Sequence, residues 1–318
     1  MENQITPPAA APLWERQAIE KLLHASVRQR RAELIWRIVK SVLWMLLFLA
    51  FILALSAESV PSRKPGTRHT AVVSIRGVIA DKGEASAENV LPALREALQD
   101  KGTQALVLLI NSPGGSPVQA GMINDEIQRL RKKHGKPIYA VVEETCASAA
   151  YYIASAADEI YVDKASIVGS IGVLMDGFGF TGTMDKLGVE RRLLTAGENK
   201  GFLDPFSQQS EKHRQLAQVM LDQIHQQFIK VVKQGRGERL KETPDTFSGL
   251  FWTGEQSIQL GLADGYGSLD SVARDVVKAE KVIDYTNKQN IAERLAKRFG
   301  AALGEGAVNA LRYPPVVR

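Results

Sequence analysis

Ser148, in Thr145-Cys146-Ala147-Ser148-Ala149-Ala150, and Lys200, in Gly197-Glu198-Asn199-Lys200-Gly201, are the residues of this chain whose types and surroundings best suit chemistry. Both lie among small residues that would let a substrate backbone come close. A serine hydroxyl becomes a nucleophile when a base takes its proton, and a lysine is such a base only where its environment keeps the amine neutral. The pair points to hydrolysis by a serine-lysine dyad. Each residue alone has an ordinary reading, a helix-packing serine and a solvated loop lysine. A third element gives them context: Asn111-Ser112-Pro113-Gly114-Gly115-Ser116-Pro117, directly after the apolar run from Ala105 to Ile110. A buried strand ending in Pro-Gly-Gly leaves the N–H groups of Gly114 and Gly115 uncovered by side chains, which suits an oxyanion hole.

These residues must be positioned by regular elements. Thr70–Arg76 reads as a strand, Glu88–Leu98 as an amphipathic helix and Ala105–Ile110 as a second strand. Val118, Met122, Ile123, Ile127 and Leu130 then recur at helical spacing until Gly135 and Pro137. Ile138–Val142 is a third strand, with Glu143 and Glu144 at its end as surface caps or substrate-orienting groups. Ala147–Ala157 is a small-residue helix beginning near Ser148. The free N–H groups and positive dipole end of that helix would favour charge on a tetrahedral intermediate, and the Ala149 N–H is a second oxyanion donor. Alternating strands and helices imply an α/β fold with parallel strands joined by right-handed crossovers.

The chain has 318 residues, 45% hydrophobic and 24% charged, enough for one medium-to-large core. In residues 1–40, seven Lys/Arg against four Asp/Glu account for three of the five net positive charges. The basic excess is therefore an N-terminal feature, and no nucleic-acid partner is expected. It flanks the apolar run Ser41–Ala57, which with Ile38 to Lys40 is long enough to span a bilayer core about 30 Å thick. Arg28, Arg30, Arg31, Arg37 and Lys40 precede it, so the positive-inside rule places the N-terminus in the cytoplasm and the rest beyond the membrane. A cleaved signal peptide is the rival reading, with Ser56-Ala57-Glu58 only a loose cleavage site. Cys146 is the single cysteine, so no intramolecular disulfide forms, and it reads as a small buried side chain. His24, His69, His134, His213 and His225 show no close metal spacing, and no metal or other cofactor is expected.

Four segments together carry a family resemblance: the strand leading to Asn-Ser-Pro-Gly-Gly, the Ala147–Tyr152 segment around Ser148, Val168-Gly169-Ser170-Ile171-Gly172, and Lys200. In their order they resemble the signal peptide peptidase A (protease IV) family of membrane-bound serine peptidases, in its short single-domain form. Phe251-Trp252-Thr253-Gly254-Glu255-Gln256-Ser257 and Gly261-Leu262-Ala263-Asp264 are similar to that family's last motifs. The resemblance implies a crotonase/Clp protease-like fold of repeated β-β-α turns, preceded here by one transmembrane helix. It also implies Ser148 as nucleophile, Lys200 as general base, Ser170 as the hydroxyl that orients the lysine, and an oxyanion hole that includes the Pro-Gly-Gly loop. The expected layout is a cytoplasmic segment over 1–37, a membrane helix over 38–57, a linker over 58–69, a peptidase domain over 70–280 and a basic tail over 281–318. Several subunits would then assemble into a closed compartment at the bacterial inner membrane, with the catalytic domain on the far side. The substrates implied are apolar peptides, signal-peptide remnants among them.

A free lysine titrates near pH 10.4, so neutrality at pH 7 to 8 demands a cost of roughly 4 kcal/mol that burial must supply. Ile171, Val173, Leu174, Met175 and the Tyr151-Tyr152 pair are the candidate wall. Asp158, Glu159 and Asp163 read as solvated loop residues. Residues 208–233 form a long helix, with Leu216, Val219, Met220, Ile224, Phe228 and Val231 toward a core or a partner. Other classes stay open on the sequence: a Ser-His-Asp triad, a crotonase-type acyl-CoA enzyme, and a catalytically silent membrane scaffold.

Overall fold

A computed structural model describes residues 13–57 and 67–286, so most of the expected linker and most of the tail lie outside the described residues. The first stretch is a single helix, α1 (Leu13–Ala57). Its residues 28–51 are long and apolar enough to cross a membrane by length and composition, and overlap the expected span over 38–51. The described side chains of 33–51 are all exposed. A helix that is apolar on every side needs lipid or another apolar partner around it.

Residues 64–288 form a separate unit. Its strands are β1 (His69–Arg76), β2 (Thr103–Ser112), β3 (Ile138–Ala147), β4 (Glu159–Val162), β5 (Ile167–Gly169), β6 (Phe251–Thr253), β7 (Gly265–Tyr266) and β8 (Val282–Asp284). The sheet runs β6-β5-β3-β2-β1-β8, with β4 paired to β3 and β7. Every pairing is parallel except β5 with β6. Parallel strands need crossovers, and α2 (Ala87–Gln99) and α3 (Pro117–His134) supply them between β1, β2 and β3. Ser116 caps α3 by accepting a hydrogen bond from the Gln119 N–H, and Gly135 ends it at φ 60°. With the short α4 (Ala149–Ala154) these helices bury Ile75, Leu94, Leu108, Ile110, Ile127 and Val142 against one sheet face. A smaller cluster, Val72, Val107, Leu109, Val141 and Val272, lies on the other.

β3 is the strand that aims the candidate site. Its first half pairs with β4 at Tyr139–Val141, and its last three residues pair with β5 at Thr145–Ala147. Between them its register against β2 slips, from Ile110↔Val142 to Ser112↔Cys146. Such an irregularity re-aims a strand without ending it. Glu143 and Glu144 therefore lie inside β3 rather than at its end, and Glu143 pairs with Arg76 at 2.7 Å. The helix expected over Ala147–Ala157 is confined to Ala149–Ala154. Asp158 is not a free loop charge, because it accepts a hydrogen bond from the Ile138 N–H at 2.8 Å and pairs with Arg131 at 3.1 Å.

Downstream come α5 (Thr181–Leu187), α6 (Glu211–Arg236) and α7 (Gly254–Gln259). Arg236, at the end of α6 and 1% exposed, donates two hydrogen bonds at 2.8 Å to Asp264 and a third at 2.8 Å to the Gly261 carbonyl. Asp264 also accepts the Ile160 N–H of β4 at 2.7 Å. Burial pushes the Asp264 carboxyl up, but the hydrogen bonds and charge of Arg236, with the Ile160 N–H, outweigh it and hold the group below its ordinary value. Removing one partner of such a pair strands the other in the interior. Asp264→Asn is expected to destabilise the unit by about 3–5 kcal/mol in urea unfolding at neutral pH. A depressed native pKa contributes stability above the ordinary carboxylate range that is lost as pH falls through the native value, so the gap between Asp264→Asn and the parent should shrink in acid. An unchanged gap down to the acid limit of folding would show the pair to be of no consequence.

Candidate active site

The C-terminal ends of β2, β3 and β5 meet at one edge of the sheet, and each delivers one of the motifs. At the end of β2, Ser112 Oγ accepts the Gly114 N–H at 3.2 Å and turns the chain. The loop is then clamped to the segment after β1: the Ile79 N–H donates to the Gly114 carbonyl at 2.9 Å, and the Ser116 N–H donates to the Ile79 carbonyl at 2.8 Å. That bridge leaves the N–H of the exposed Gly115 out of its hydrogen bonding. Gly114 and Gly115 have φ of 106° and 145°, and a Cβ at Gly114 would lie 2.7 Å from both the Ala147 oxygen and the Ser148 Cβ. Only glycine lets this loop lie against Ser148.

At the end of β3, Ser148 takes φ 53° and ψ −124° as the residue before α4. Its N–H donates to the Gly169 carbonyl at 2.8 Å, and its own carbonyl accepts the Tyr152 N–H at 3.0 Å. The hydroxyl caps nothing and makes no hydrogen bond among the described residues. A serine held at positive φ costs on the order of 1–3 kcal/mol, and such strain persists where the surroundings over-determine it. Here the turn lifts the side chain out of the strand path at the first turn of a helix, next to the Gly114 loop. Ser170 lies beyond β5 at φ 50°, its N–H donating to the Leu250 carbonyl at 2.8 Å. β6 holds that neighbour in place, with Val168 opposite Trp252 and Gly169 opposite Phe251. Thr253 and Gln256 form a capping box that starts α7 directly behind it.

The structure thus brings together Gly114, Gly115, Ser148, Ala149 and the Ser170 segment. No hydrogen bond ties Lys200 to this group among the described residues. Lys200 lies in the arm over residues 173–210, and its side chain is exposed. The arm is held within itself by Phe180 stacked on Phe206 and by the Arg191–Asp204 pair, and to α6 by Lys212 with Glu198 at 2.5 Å. Leu174 and Met175, expected to desolvate the lysine, are exposed; Ile171 alone of that run is buried. Tyr151 is buried with its hydroxyl on the Leu262 carbonyl at 2.7 Å, and Tyr152 packs on Phe228. Cys146 is fully buried in the sheet, and burial pushes its thiol well up, which excludes it as a nucleophile. Ile79 was missed by sequence reasoning, because nothing in Gly77-Val78-Ile79 signals that a distant turn will dock there.

Peptidase family S49 matches residues 130–283, which take in Ser148, Ser170 and Lys200. The chain belongs to peptidase family S49. Its sheet is the Clp protease-like α/β arrangement of that family. The chain is 30% identical over 222 residues to the putative signal peptide peptidase SppA of Enterococcus faecium, a match covering 67% of this chain and 64% of the relative. It is 31% identical over 219 residues to Protease 4 of Haemophilus influenzae, covering 67% and 35% respectively. A third relative, from Brucella abortus and named a Na(+)/H(+) antiporter NhaA, is 43% identical over 208 residues, which are 64% of this chain but 28% of that protein. The chain spans less than two thirds of the length of each of these relatives.

The S49 edge makes one structural expectation plain. A Cβ at Gly115 would lie 2.2 Å from the Ile79 backbone oxygen, which no rotamer relieves. Gly115→Ala is expected to cost about 1–3 kcal/mol through strain and displacement of the loop, read as a lower urea midpoint with an unchanged slope. A variant as stable as the parent would mean that the loop is not clamped.

Proposed function

We propose that this chain is a membrane-anchored serine endopeptidase that hydrolyses apolar peptides, signal-peptide remnants among them, with Ser148 as nucleophile and Lys200 as general base. The observation that carries this reading is the strained Ser148 turn, which sets an unbonded hydroxyl between the Gly114-Gly115 loop and the first turn of α4. Ser148 Oγ attacks the substrate carbonyl while the neutral amine of Lys200 takes its proton. The oxyanion accepts hydrogen bonds from the backbone N–H groups of Gly115 and Ala149. The proton passes to the leaving amine, and water then hydrolyses the acyl-enzyme. Ser170, which follows the Gly169 whose carbonyl accepts the Ser148 N–H, orients the lysine in this reading. The names of the Enterococcus and Haemophilus relatives support peptide hydrolysis. The apolar helix over 28–51 supports the anchor, and the basic residues before it favour a cytoplasmic N-terminus.

In this reading the dyad is completed by assembly. A general base must be neutral, which needs a dry site, and Lys200 is exposed in the lone chain. The arm around it exposes Leu174, Phe178, Leu187 and Leu194, the last at 96%, and α6 exposes Leu216, Val219 and Met220. In this reading these exposed apolar side chains supply the contact between subunits. A homo-oligomer would bury the arm against a neighbour and present Lys200 to that neighbour's Ser148.

Ser148→Ala and Lys200→Ala are each expected to lose about 10³-fold or more in peptide hydrolysis and to resist acylation by a serine-directed probe. Co-assembling the two inactive variants should restore activity, since a Lys200→Ala subunit keeps Ser148 and a Ser148→Ala subunit keeps Lys200. Full hydrolysis by either single variant would sink the dyad. Inactive single variants with no recovery on mixing would sink the contribution between subunits.

A further inference from the structure

α6 makes contacts with both serine segments and with the arm that carries Lys200. In its C-terminal half Phe228 and Val232 are buried, and the Phe228 ring lies 5.2 Å from that of Tyr152, one helical turn after Ser148. At its N-terminal end Lys212 pairs with Glu198, and the His213 ring meets Phe202 edge-on at 5.4 Å, so the helix grips the arm on both sides of Lys200. Between these ends, half-buried His225 places Nε2 3.0 Å from the carbonyl oxygen of Ile171. A carbonyl only accepts, so Nε2 carries the proton and donates. Ile171 is the residue after Ser170, and the other hydrogen bonds on the backbone of 170–172, from Ser170 N–H to Leu250 and from Gly172 N–H to Ser170, are backbone to backbone. Among the described residues, His225 is the one side chain that hydrogen-bonds this stretch.

We infer that His225 is a positioning residue for the dyad: its bond to the Ile171 carbonyl fixes the Ser170 hydroxyl toward the lysine and sets the angle at which α6 holds the arm. The inference rests on the dyad reading above. Ser170 sits at φ 50°, a conformation a serine leaves readily when released. The bond from α6 supplies a restraint from outside the strand. From Ala217 toward the arm α6 is largely exposed, so among the described residues His225 is the last side chain of the helix with a polar tie to the serine edge, and the next tie, Lys212, holds the arm itself. Misplacement of a catalytic group by about 1 Å costs on the order of 10²-fold in rate, so one hydrogen bond of this kind is enough to matter.

The test is steady-state kinetics on a fluorogenic apolar peptide across pH, with the full-length protein in detergent. His225→Leu keeps bulk and removes the donor; His225→Gln keeps an N–H at similar reach. His225→Leu is expected to lower kcat by about 10²-fold with KM changed less than about threefold, and to move the activating limb of the kcat profile to higher pH as the lysine loses Ser170. His225→Gln should recover kcat to within about tenfold of the parent and return the profile. If His225→Leu does not fold, His225→Asn, polar but too short to reach Ile171, takes its place with the same expectation. Parental kcat and profile in the donor-less variant overturn the inference, as does a loss that Gln does not rescue. Ser148→Ala in the same assay separates the two readings. An active Ser148→Ala overturns the dyad itself, whereas an inactive one beside an unaffected His225→Leu overturns only the role of His225.

Discussion

The hydrogen bond from the Ser148 N–H to the Gly169 carbonyl, 2.8 Å long, joins the two serine motifs, and the site has no geometry without it. It exists because β3 changes partner part-way along its length. Tyr139–Val141 follow β4, the register slips against β2, and Thr145–Ala147 then lie along β5. A strand that stayed with β4 would carry Ser148 away from Ser170 and would not need a residue at positive φ. The turn at Ser148 is where that change of partner ends. Its strain is balanced by the backbone bond to Gly169, the start of α4 and the Gly114 loop pressed against it.

The remainder of the fold keeps that edge from relaxing. β6 holds β5 from the outer side, and the Thr253–Gln256 capping box starts α7 behind it. The Arg236–Asp264 pair ties the end of α6 to β4 through the Ile160 N–H. The last two motifs, around Trp252 and Asp264, therefore serve the site from a distance: one braces the Ser170 strand, the other anchors the helix leading to the arm. Neither touches Ser148. Motif content and catalytic contact are different properties of a residue, and in this chain architecture accounts for both of these stretches.

What could be read from the chain beforehand follows from parallel topology. Residues just after successive parallel strands collect at one sheet edge, so Pro113–Ser116 and Ser148 could be placed together from strand signals and turn chemistry, whereas Ser170 was reached through the family resemblance alone. Helices α2 and α3 were legible from apolar spacing and from Gly135. Lys200 was not placeable in this way, because residues 173–210 have no strand signal and little helical period. The apolar positions Leu216, Val219 and Met220 read equally as core or interface, and the fold leaves them exposed. Asp158 looked like a loop charge because its partner, the Ile138 N–H, is twenty residues away. His225 carried no signal at all: its acceptor is a backbone carbonyl, which the sequence never distinguishes.

In the proposed assembly, the exposed arm and the needed neutral amine are two sides of one free-energy balance. Holding a lysine uncharged near neutral pH costs roughly 4 kcal/mol. At ~25 cal/mol per Å² of apolar surface, about 160 Å² taken from water offsets that cost, the amount one phenylalanine contributes. Phe178 and Leu194, both close to fully exposed, supply it before any other contact forms. Losing translational and rotational freedom on association costs about 4–15 kcal/mol more, and the exposed face of α6 extends the surface that meets it. In that proposal the contacts that would enclose the compartment would also dry the base, so hydrolytic power and enclosure would arise in one step.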